Sequence, residues 1–366
     1  MGDTDSMVLR RADFSLSEEQ EAVRDAFRTA LERGCPIERV EAAAAAEPPG
    51  YEEKIWGQLL DMRVVAMGVP EEAGGDGAGL TELVLVAEQQ GAFLAPVPLV
   101  EAVVAARLLA RCADGDPAAA TTEWLPEVVE GTRLATVALH PQRGREPQLV
   151  PAGALADGVI GLVGDELVLV RRDEPLPSLR NHGSAPLALW DQSETDSTGE
   201  RHVLASGPKA HQLFDQAFRE WKLLTAAALV GLADAALRRG VEFATNRIAF
   251  GVPIATFQAV SHPLVDVAMA VTGTRRLVWK AAWYADNEPD ESRDLVPMAY
   301  LAAVEAGMRA PTVGVHVQGG LGFTIESDMH LFFRRAKGWT LVAGDPACEL
   351  EAIAEVRYGA VRGEGG

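Results

Sequence analysis

Apolar residues in the first part of the chain recur at the spacing of an amphipathic helix. Val23, Phe27 and Leu31 lie about one turn apart, and Ser17 before them is typical of a helix N-cap. The stretch GVPEEAGGDGAG at residues 68–79 is too rich in glycine to continue a helix and predicts a loop. Further helical patterns at residues 80–90 and 98–113 predict an all-α unit at the start of the chain.

Short runs rich in Val, Ile and Leu replace the helical pattern between about residues 131 and 207. Turns containing Gly, Pro or Asp separate these runs, as is typical of short strands. No segment between them is long enough for the crossover helices of a doubly wound sheet. The pattern predicts a small β domain with strands at residues 134–139, 158–163, 166–171 and 202–205.

The last third of the chain returns to a helical pattern. Its most regular segment places Val260, Leu264, Val267, Val271 and Val278 on one face, which is typical of a helical bundle. The predicted bundle helices cover residues 210–246, 256–286, 291–318 and 340–356. The chain is therefore predicted to be mainly α with a small central β domain, divided at residues 1–130, 131–208 and 209–366.

The balance of charge disfavours nucleic acid as a partner. The 366-residue chain carries 53 acidic and 33 basic side chains, a formal net charge of −20, and has no surplus of Lys and Arg to neutralise phosphates. Its longest nearly continuous apolar run, Leu223–Ala233, is shorter than the ~20 residues of a membrane span. The N-terminal MGDTDSMVLRR also lacks the apolar core of a signal peptide. We expect neither a membrane span nor a leader.

Motifs for several kinds of chemistry are missing from the sequence. Cys35, Cys112 and Cys348 have no CxxC spacing, which indicates a reducing, cytoplasmic location and no structural zinc. The histidines show no HExxH or HxH spacing, so no metal site is predicted. No strand is followed by GxGxxG, and GxSxG does not occur, which disfavours Rossmann nucleotide binding and serine hydrolysis.

Two clusters combine residue types that bind nucleotides. In the first, Arg247 and Phe250 lie at a predicted helix end with Gln258 nearby. An Arg beside an aromatic residue can pair with a phosphate and stack on a planar ring, and a nearby Gln can hydrogen-bond to an adenine. In the second, three glycines follow His316 and Gln318, and bare backbone N–H groups can approach a diphosphate closely. An ordinary interhelical turn and a helix C-cap remain alternatives for the two clusters.

The order of these elements resembles the acyl-CoA dehydrogenase family over essentially the whole chain. FSLSEEQEAVRDAF, GVPEEAGGDGAGLTELVLVAEQQG and LAPVPLVEA resemble its N-terminal segments, and ATNRIAFGVPIATFQAV is similar to its R-x-x-F-G-x-P-I-x-x-x-Q pattern. HVQGGLGFTIESDMHLFFRRAK resembles the family's C-terminal glycine motif, especially in short actinobacterial chains that accompany steroid side-chain degradation. The resemblance implies an N-terminal α domain, a middle β domain, a C-terminal four-helix bundle and FAD bound between subunits.

The resemblance also implies which residues contact FAD. The bundle of one subunit would contribute contacts to the diphosphate and adenosine half of a flavin held by its neighbour. Many relatives carry Gln where this chain has His316, while Gln lies two residues later. The matched positions are Arg247, Phe250, Gln258, His316, Gln318, Gly319 and Gly320.

The carboxylate base that the family's reaction needs is missing from its usual position. A thioester α-proton is too weakly acidic for water to remove it, so a carboxylate must be held over Cα. Counting from the glycine motif places Ala343 where many relatives carry this Glu, and Asp345 follows two residues later. Some relatives carry the base on the first bundle helix, and that position corresponds to Trp221 in this chain. Glu220 is one residue earlier, and one residue along a helix rotates the side-chain direction by ~100°. Glu220 would therefore not point the same way as the base. A capping or solvated role is the alternative for Glu220 and Asp345.

The middle domain departs from the family at the segments that hold the flavin ring. LHPQRG at residues 139–144 replaces the usual Thr-Glu-Pro-x-x-Gly-Ser-Asp, and nothing resembles Trp-Ile-Thr-Asn. The resemblance therefore implies a base-lacking subunit that completes a FAD site in an α2β2 heteromer with a second acyl-CoA dehydrogenase chain. Such an enzyme would desaturate a bulky acyl-CoA, such as a steroid side-chain thioester, and would reduce an electron-transfer flavoprotein. A self-sufficient flavoenzyme using Glu220 or Asp345, and a flavin-free scaffold, are the alternatives.

Overall fold

The computed structural model describes residues 15–114, 118–193, 199–290 and 292–359. The predictions for the first eleven residues and for a helix start at residue 291 lie outside this part of the chain. Among the described residues, six helices precede the sheet: α1 Glu18–Gly34, α2 Ile37–Ala45, α3 Glu53–Asp61, α4 Leu80–Ala92, α5 Leu99–Cys112 and α6 Ala119–Glu130.

Helix α1 begins at the predicted cap. The Ser17 hydroxyl accepts a hydrogen bond from the backbone N–H of Gln20, and the Gln20 side chain accepts one from the backbone N–H of Ser17. This reciprocal pair satisfies two N–H groups that the helix leaves free. Phe27 and Leu31 are buried, as the spacing predicts.

The sheet domain contains the four predicted strands and two shorter ones. Strands β1, β3, β4 and β6 form one sheet in that order, with β1 parallel to β3 and the other neighbours antiparallel. Strands β2 and β5 form a separate antiparallel pair and are three residues long, too short to give an alternating pattern. The strands are β1 Ala135–Val137, β2 Gln148–Val150, β3 Gly158–Val163, β4 Glu166–Arg172, β5 Ala188–Trp190 and β6 Gly199–Ser206.

The sheet is buried on both faces. Ile160 and Leu169 pack into the large core shared with the helices, while Val159 and Val170 pack on the opposite face with Trp190. A strand covered on both faces has no polar side, so β3 and β4 are nearly continuous apolar runs.

The remaining helices form the bundle, with its core on the predicted face of α8. Leu264, Val267, Val271 and Val278 are buried there. A two-stranded hairpin, β7 Ile248–Ala249 and β8 Val252–Pro253, follows the first bundle helix. The helices are α7 Pro208–Asn246, α8 Gln258–Asn287, α9 Leu295–Gln318, α10 Met329–Leu341 and α11 Cys348–Tyr358.

The predicted helix over residues 340–356 is wrong. Helix α10 ends at Leu341 and α11 starts at Cys348, so residues 342–347, in the first half of the predicted helix, form a turn. Gly344 in this turn has a φ of +95°, and Pro346 cannot donate a helical hydrogen bond. Ala343 therefore lies in a turn between two helices.

The N-terminal helices contact the bundle through their backbones. A Cβ on Gly91 of α4 would lie 1.7 Å from the carbonyl oxygen of Ala228, and one on Gly231 of α7 would lie 1.9 Å from that of Glu88. The Asp286 carboxylate, at the end of α8, accepts hydrogen bonds from the first backbone N–H groups of α4. These contacts hold α4 directly against the bundle helices α7 and α8.

The cysteines differ in exposure. Cys35 and Cys112 are buried, Cys348 is exposed, and all three are free thiols. No helix in the described part of the chain is both long and apolar enough to cross a bilayer.

Candidate functional site

A cavity lies where the N-terminal helices, the sheet domain and the bundle meet. Its walls come from α5 and the segment before it, from α7 and α10, and from loops at Pro151–Ala152 and Ser184–Leu187. Its volume is about 60 Å³, and the side chains around it are mainly apolar. We call it the central cavity.

A loop of the sheet domain closes one side of the central cavity. A Cβ on Gly338 of α10 would lie 2.6 Å from the Cα of Gly183, so the two backbones touch. Arg334 donates from Nε to the carbonyl of His182 at 2.7 Å and from Nη2 to the hydroxyl of Ser184 at 3.1 Å. The loop is therefore held directly against α10.

Neither of the two positions that the resemblance predicts for the base offers a carboxylate to this cavity. Trp221 lines it from α7 and is buried. Val342 lines it at the end of α10, and Ala343 follows in the turn. An indole and a methyl group cannot accept the α-proton of a thioester.

The structure places Glu220 away from the central cavity. Its carboxylate is buried and pairs with Arg107, Nε to Oε2 at 3.0 Å, and with Arg111. Burial by itself raises the pKa of Glu220, but the two guanidinium groups outweigh burial and hold that pKa below its usual value. A carboxylate held between two cations has low basicity, so this geometry argues against Glu220 as the base and for a structural ion pair.

Asp345, in the turn before α11, is not among the residues that line the central cavity. Its side chain is exposed and accepts a hydrogen bond from the backbone N–H of Ala347 at 3.0 Å. The capping alternative describes this contact better than a catalytic role does.

The turn at Ala343 meets the sheet domain through His140, in the segment that departs from the family pattern. A Cβ on Gly344 would lie 3.9 Å from Cε1 of His140, and the imidazole packs edge-on against Phe218 at 6.1 Å between ring centroids. Partial burial, followed by the charges of Lys222 and Arg143, lowers the pKa of His140. The ring is therefore uncharged at neutral pH.

The carboxylate that does line the central cavity is Glu101, which the sequence reasoning missed. It projects from α5 beside the Trp221 indole, and burial raises its pKa to about 7. A sequence signal existed, because Glu101 is the one acidic residue in the otherwise apolar or basic run LVEAVVAARLLARC. A partly buried acid in a cavity, with a pKa near neutrality, is typical of a functional site.

Replacing Glu101 by glutamine is expected to stabilise the chain at pH 8 by about 1–3 kcal/mol, and less at pH 5. The pKa in the folded protein lies above the ordinary value of 4.5, so stability from this group is lost as the pH rises toward about 7. Glutamine does not ionise, so the variant does not lose free energy of unfolding as the pH rises. Urea denaturation at both pH values measures the difference, with the exposed Glu130→Gln as control. A gain that does not change with pH would contradict the expectation.

The nucleotide-type clusters of the sequence lie together at one end of the bundle. The hairpin β7–β8 follows α7, and its turn residues Phe250 and Gly251 have φ values of +53° and +82°, as a two-residue hairpin turn requires. The end of α9 packs against the same segment through a small core of Ala244, Leu264 and Val317. We call residues 247–258 and 316–325 the hairpin surface.

The hairpin surface exposes large apolar side chains. Phe250 is 97% exposed, Phe323 84% and Ile325 88%. Exposed apolar groups clustered in this way mark an interaction surface. Arg247 and Gln258 are also exposed, and Arg247 forms no ion pair with any described residue.

The glycine turn at the end of α9 leaves its backbone open. A Cβ on Gly319 or Gly320 would meet no atom within 4 Å, and Gly319 has a φ of +60°. His316 is exposed, but the Gln318 side chain is engaged, since its Oε1 accepts a hydrogen bond from the Ser327 hydroxyl at 2.5 Å. The backbone of the turn is more available to a ligand than the Gln318 carbonyl oxygen.

No group of three or more His, Cys, Asp or Glu side chains in the described residues is arranged to hold a metal ion.

Comparison with known families matches both helical parts of the chain. The description "Acyl-CoA dehydrogenase, N-terminal domain" matches residues 17–132, and "Acyl-CoA dehydrogenase, C-terminal domain" matches residues 212–357. Acyl-CoA dehydrogenase IpdE2 from Mycobacterium tuberculosis is 30% identical over 88% of this chain and 92% of its own length. Acyl-CoA dehydrogenase FadE27 from the same organism is 29% identical over 83% of this chain and 87% of its own length.

Solved structures with the same fold include two assemblies of paired proteins. A chain of the ChsE4-ChsE5 complex from Mycobacterium tuberculosis is 26% identical, with a TM-score of 0.80 over 94% of this chain and 98% of that one. A chain of the Tcur3481-Tcur3483 steroid ACAD is 26% identical, with a TM-score of 0.78 over 93% of this chain and 98% of that one. Both alignments span all three parts of the fold.

Proposed function

Because the chain belongs to the acyl-CoA dehydrogenase family, we propose that it is the base-lacking subunit of a heteromeric, FAD-dependent acyl-CoA dehydrogenase. Enzymes of this family oxidise the Cα–Cβ bond of an acyl-CoA thioester. In the proposed α2β2 assembly, a second acyl-CoA dehydrogenase chain supplies the carboxylate base, and this chain completes the FAD site. The proposed substrate is a bulky acyl-CoA such as a steroid side-chain thioester, with an electron-transfer flavoprotein as acceptor in the cytoplasm.

The observation that carries the proposal is a contrast between two regions of the same chain. Trp221, which lines the central cavity, and Ala343, which follows the lining residue Val342, are the two positions that the resemblance matches to the family's base. At the hairpin surface, Arg247 and Phe250 remain and point outward. A chain that keeps exposed residues suited to FAD but has no base at its own cavity is suited to complete a FAD site on a neighbouring subunit.

The residues of the hairpin surface fit half of a FAD molecule. When bound, FAD accepts the hydride that leaves Cβ. The guanidinium of Arg247, which forms no ion pair with a described residue, is suited to a diphosphate, and the open backbone of Gly319 and Gly320 allows close approach of phosphate oxygens. The exposed Phe250 ring offers a face for stacking. All these groups lie on the outside of the chain, so the rest of the cofactor would be held by a partner.

The comparisons support a partner chain of the same family. Two similar structures are described as the ChsE4-ChsE5 complex and the Tcur3481-Tcur3483 steroid ACAD, each naming two proteins. This chain aligns with nearly the full length of a subunit in each. A steroid-derived acyl group and a paired assembly are therefore the first choices to test.

A self-sufficient dehydrogenase is the second candidate, and Glu101 is the observation that favours it. Glu101 is a carboxylate within the central cavity with a pKa raised to about 7 by burial. Acyl-CoA oxidation by the lone chain, abolished by Glu101→Gln, would support this candidate over the first.

Replacing Arg247 by alanine in the purified heteromer is expected to raise the dissociation constant of FAD about 10–100-fold, the effect of losing one or two charge-assisted hydrogen bonds. The complex would be made by co-expression with a second acyl-CoA dehydrogenase chain that carries the base. Flavin absorbance per heterodimer measures the effect, and the wild-type chain expressed alone should be colourless.

The matched control for this variant is Arg293→Ala. Arg293 is an exposed arginine that precedes α9, at the end of that helix opposite to Gly319. Flavin content should be unchanged in the control. Tight, stoichiometric FAD in the lone chain, or full flavin in the Arg247→Ala complex, would rule out the proposed role.

A further inference from the structure

Helix α11 is held against the bundle by charged contacts rather than by buried apolar side chains. Of its eleven described residues, Glu349 is the one that is buried, whereas Leu350, Val356 and Tyr358 are exposed. A helix on the surface of a globular protein normally docks through an apolar stripe. Because α11 buries no such stripe, its position depends on its polar contacts.

The main polar contact is an ion pair between α7 and the start of α11. Lys222 Nζ lies 2.7 Å from Glu349 Oε1, and the two side chains are 12% and 11% exposed. Glu349 Oε2 is buried and has no hydrogen-bond partner among the described residues, so Lys222 holds the carboxylate at one oxygen. At the other end of α11, Arg357 pairs with Asp294 at 2.6 Å. That second pair is more exposed to water and is expected to contribute less.

Lys222 has a second partner that would remain if α11 moved away. Its Nζ lies 4.2 Å from the centroid of the Phe218 ring, which belongs to the same helix, α7. The face of an aromatic ring attracts a cation. Glu349 would pass into water, which solvates a carboxylate well. Since neither charge would be left buried and unpaired, α11 can leave the bundle at a lower cost than a helix docked by an apolar stripe.

The turn before α11 connects this helix to the wall of the central cavity. Val342 lines the cavity, and Gly344 lies close to His140 of the sheet domain. The cavity volume of about 60 Å³ is below the roughly 300–1,000 Å³ of most small-molecule sites, so a wall must move before such a molecule can enter. Arg334 ties the loop at residues 182–184 to α10 by two hydrogen bonds. The turn is the less firmly held of these two walls.

We propose that residues 342–358, which we call the C-terminal strap, form a gate of the central cavity that the Lys222–Glu349 ion pair holds shut. When the pair separates, α11 leaves the bundle and Val342 moves out of the cavity wall with the turn. This gate belongs to the chain itself. It requires neither FAD nor a partner, so it goes beyond the proposed role in a heteromer.

Hydrogen–deuterium exchange of the purified full-length chain, followed by mass spectrometry, tests the ion pair. In the wild type, amides of the C-terminal strap should exchange at least tenfold faster than those in the middle of α7, because the strap opens without global unfolding. Glu349→Gln should accelerate exchange of the strap at least tenfold further and change exchange in α9 less than twofold. Unchanged exchange of the strap, or equal acceleration of every helix, would overturn the proposal.

Arg357→Met is the matched control, because it removes the more exposed ion pair of the same helix. Exchange of the C-terminal strap should stay within threefold of wild type in this variant. Lys222→Met breaks the buried pair from the side of α7 and should reproduce the effect of Glu349→Gln. If Arg357→Met accelerated the strap as much as Glu349→Gln does, the buried pair would not be what holds the gate.

A thiol placed in the cavity wall tests whether the C-terminal strap controls access. Thr225 lines the central cavity and is 5% exposed, so Thr225→Cys in a Cys348→Ser chain places a thiol there. Methyl methanethiosulfonate should modify this thiol at least tenfold faster when Glu349→Gln is added. Faster exchange of the strap with an unchanged rate of thiol modification would rule out a gate. Both measurements use the lone chain without FAD, so their outcome is independent of the Arg247 experiment.

Discussion

Replacing Glu220 by glutamine is expected to lower the free energy of unfolding of the chain by about 3–5 kcal/mol, because it removes the negative charge from a buried ion pair. Arg107 and Arg111 would keep their charges in a partly buried position after losing the carboxylate with which they pair. Urea denaturation at pH 7 measures the change. The exposed Asp215→Asn on the same helix, α7, is the control and should stay within about 0.5 kcal/mol of wild type.

The effect of Glu220 should also depend on pH. Its pKa in the folded protein lies below the ordinary value of 4.5. The stabilisation is therefore complete above about pH 4.5 and is lost as the pH falls through the folded pKa. The difference between wild type and Glu220→Gln should be constant from pH 6 to pH 8 and should shrink in acid. Unchanged stability with abolished acyl-CoA oxidation would instead make Glu220 the base.

Replacing Gly231 by alanine is expected to destabilise the chain by about 3 kcal/mol, the upper part of the range for overpacked positions. The new Cβ would lie 1.9 Å from the carbonyl oxygen of Glu88 on α4. A carbonyl held in a helix cannot rotate away as a side chain can. Helices α4 and α7 must therefore separate, which would also disturb the wall of the central cavity at Ala228.

Gly273→Ala provides the matched control for Gly231→Ala. Gly273 lies within α8, and a Cβ there would meet no atom within 4 Å. Alanine is a better helix former than glycine by about 1 kcal/mol, so this variant should be more stable than wild type. Thermal unfolding of both variants measures the contrast. Similar changes in the two would mean that the close contact of α4 and α7 is not energetically important.

Most of the elements could be predicted because their causes are local. The cap at Ser17 and the spacing of Leu264, Val267 and Val271 belong to single segments. The break between α10 and α11 was missed because the apolar pattern continued across it, while Gly344 and Pro346 carried the contrary signal. At this position the turn residues, rather than the apolar periodicity, determine the structure.

In the candidate site too, residues carried by one segment could be predicted from the sequence, and residues brought together by packing could not. Arg247 and Phe250 could be proposed from the sequence because one short segment carries both, with the spacing of the family's motif. Glu101 and Arg335 are 234 positions apart in the numbering, and only the packing of α5 near α10 brings both to one cavity. Neighbouring residues on a helix point about 100° apart. Accordingly, Trp221 lines the cavity and Glu220 does not.

The exposed thiol at the start of α11 gives the chain a natural labelling site. Burial raises the pKa of Cys35 to about 12 and that of Cys112 to about 11, so neither forms a thiolate at neutral pH. A maleimide dye should therefore attach to Cys348 in the unmodified protein. Because Cys348 follows the turn of Ala343, fluorescence from this dye would report movements of the turn in real time, without any engineered cysteine.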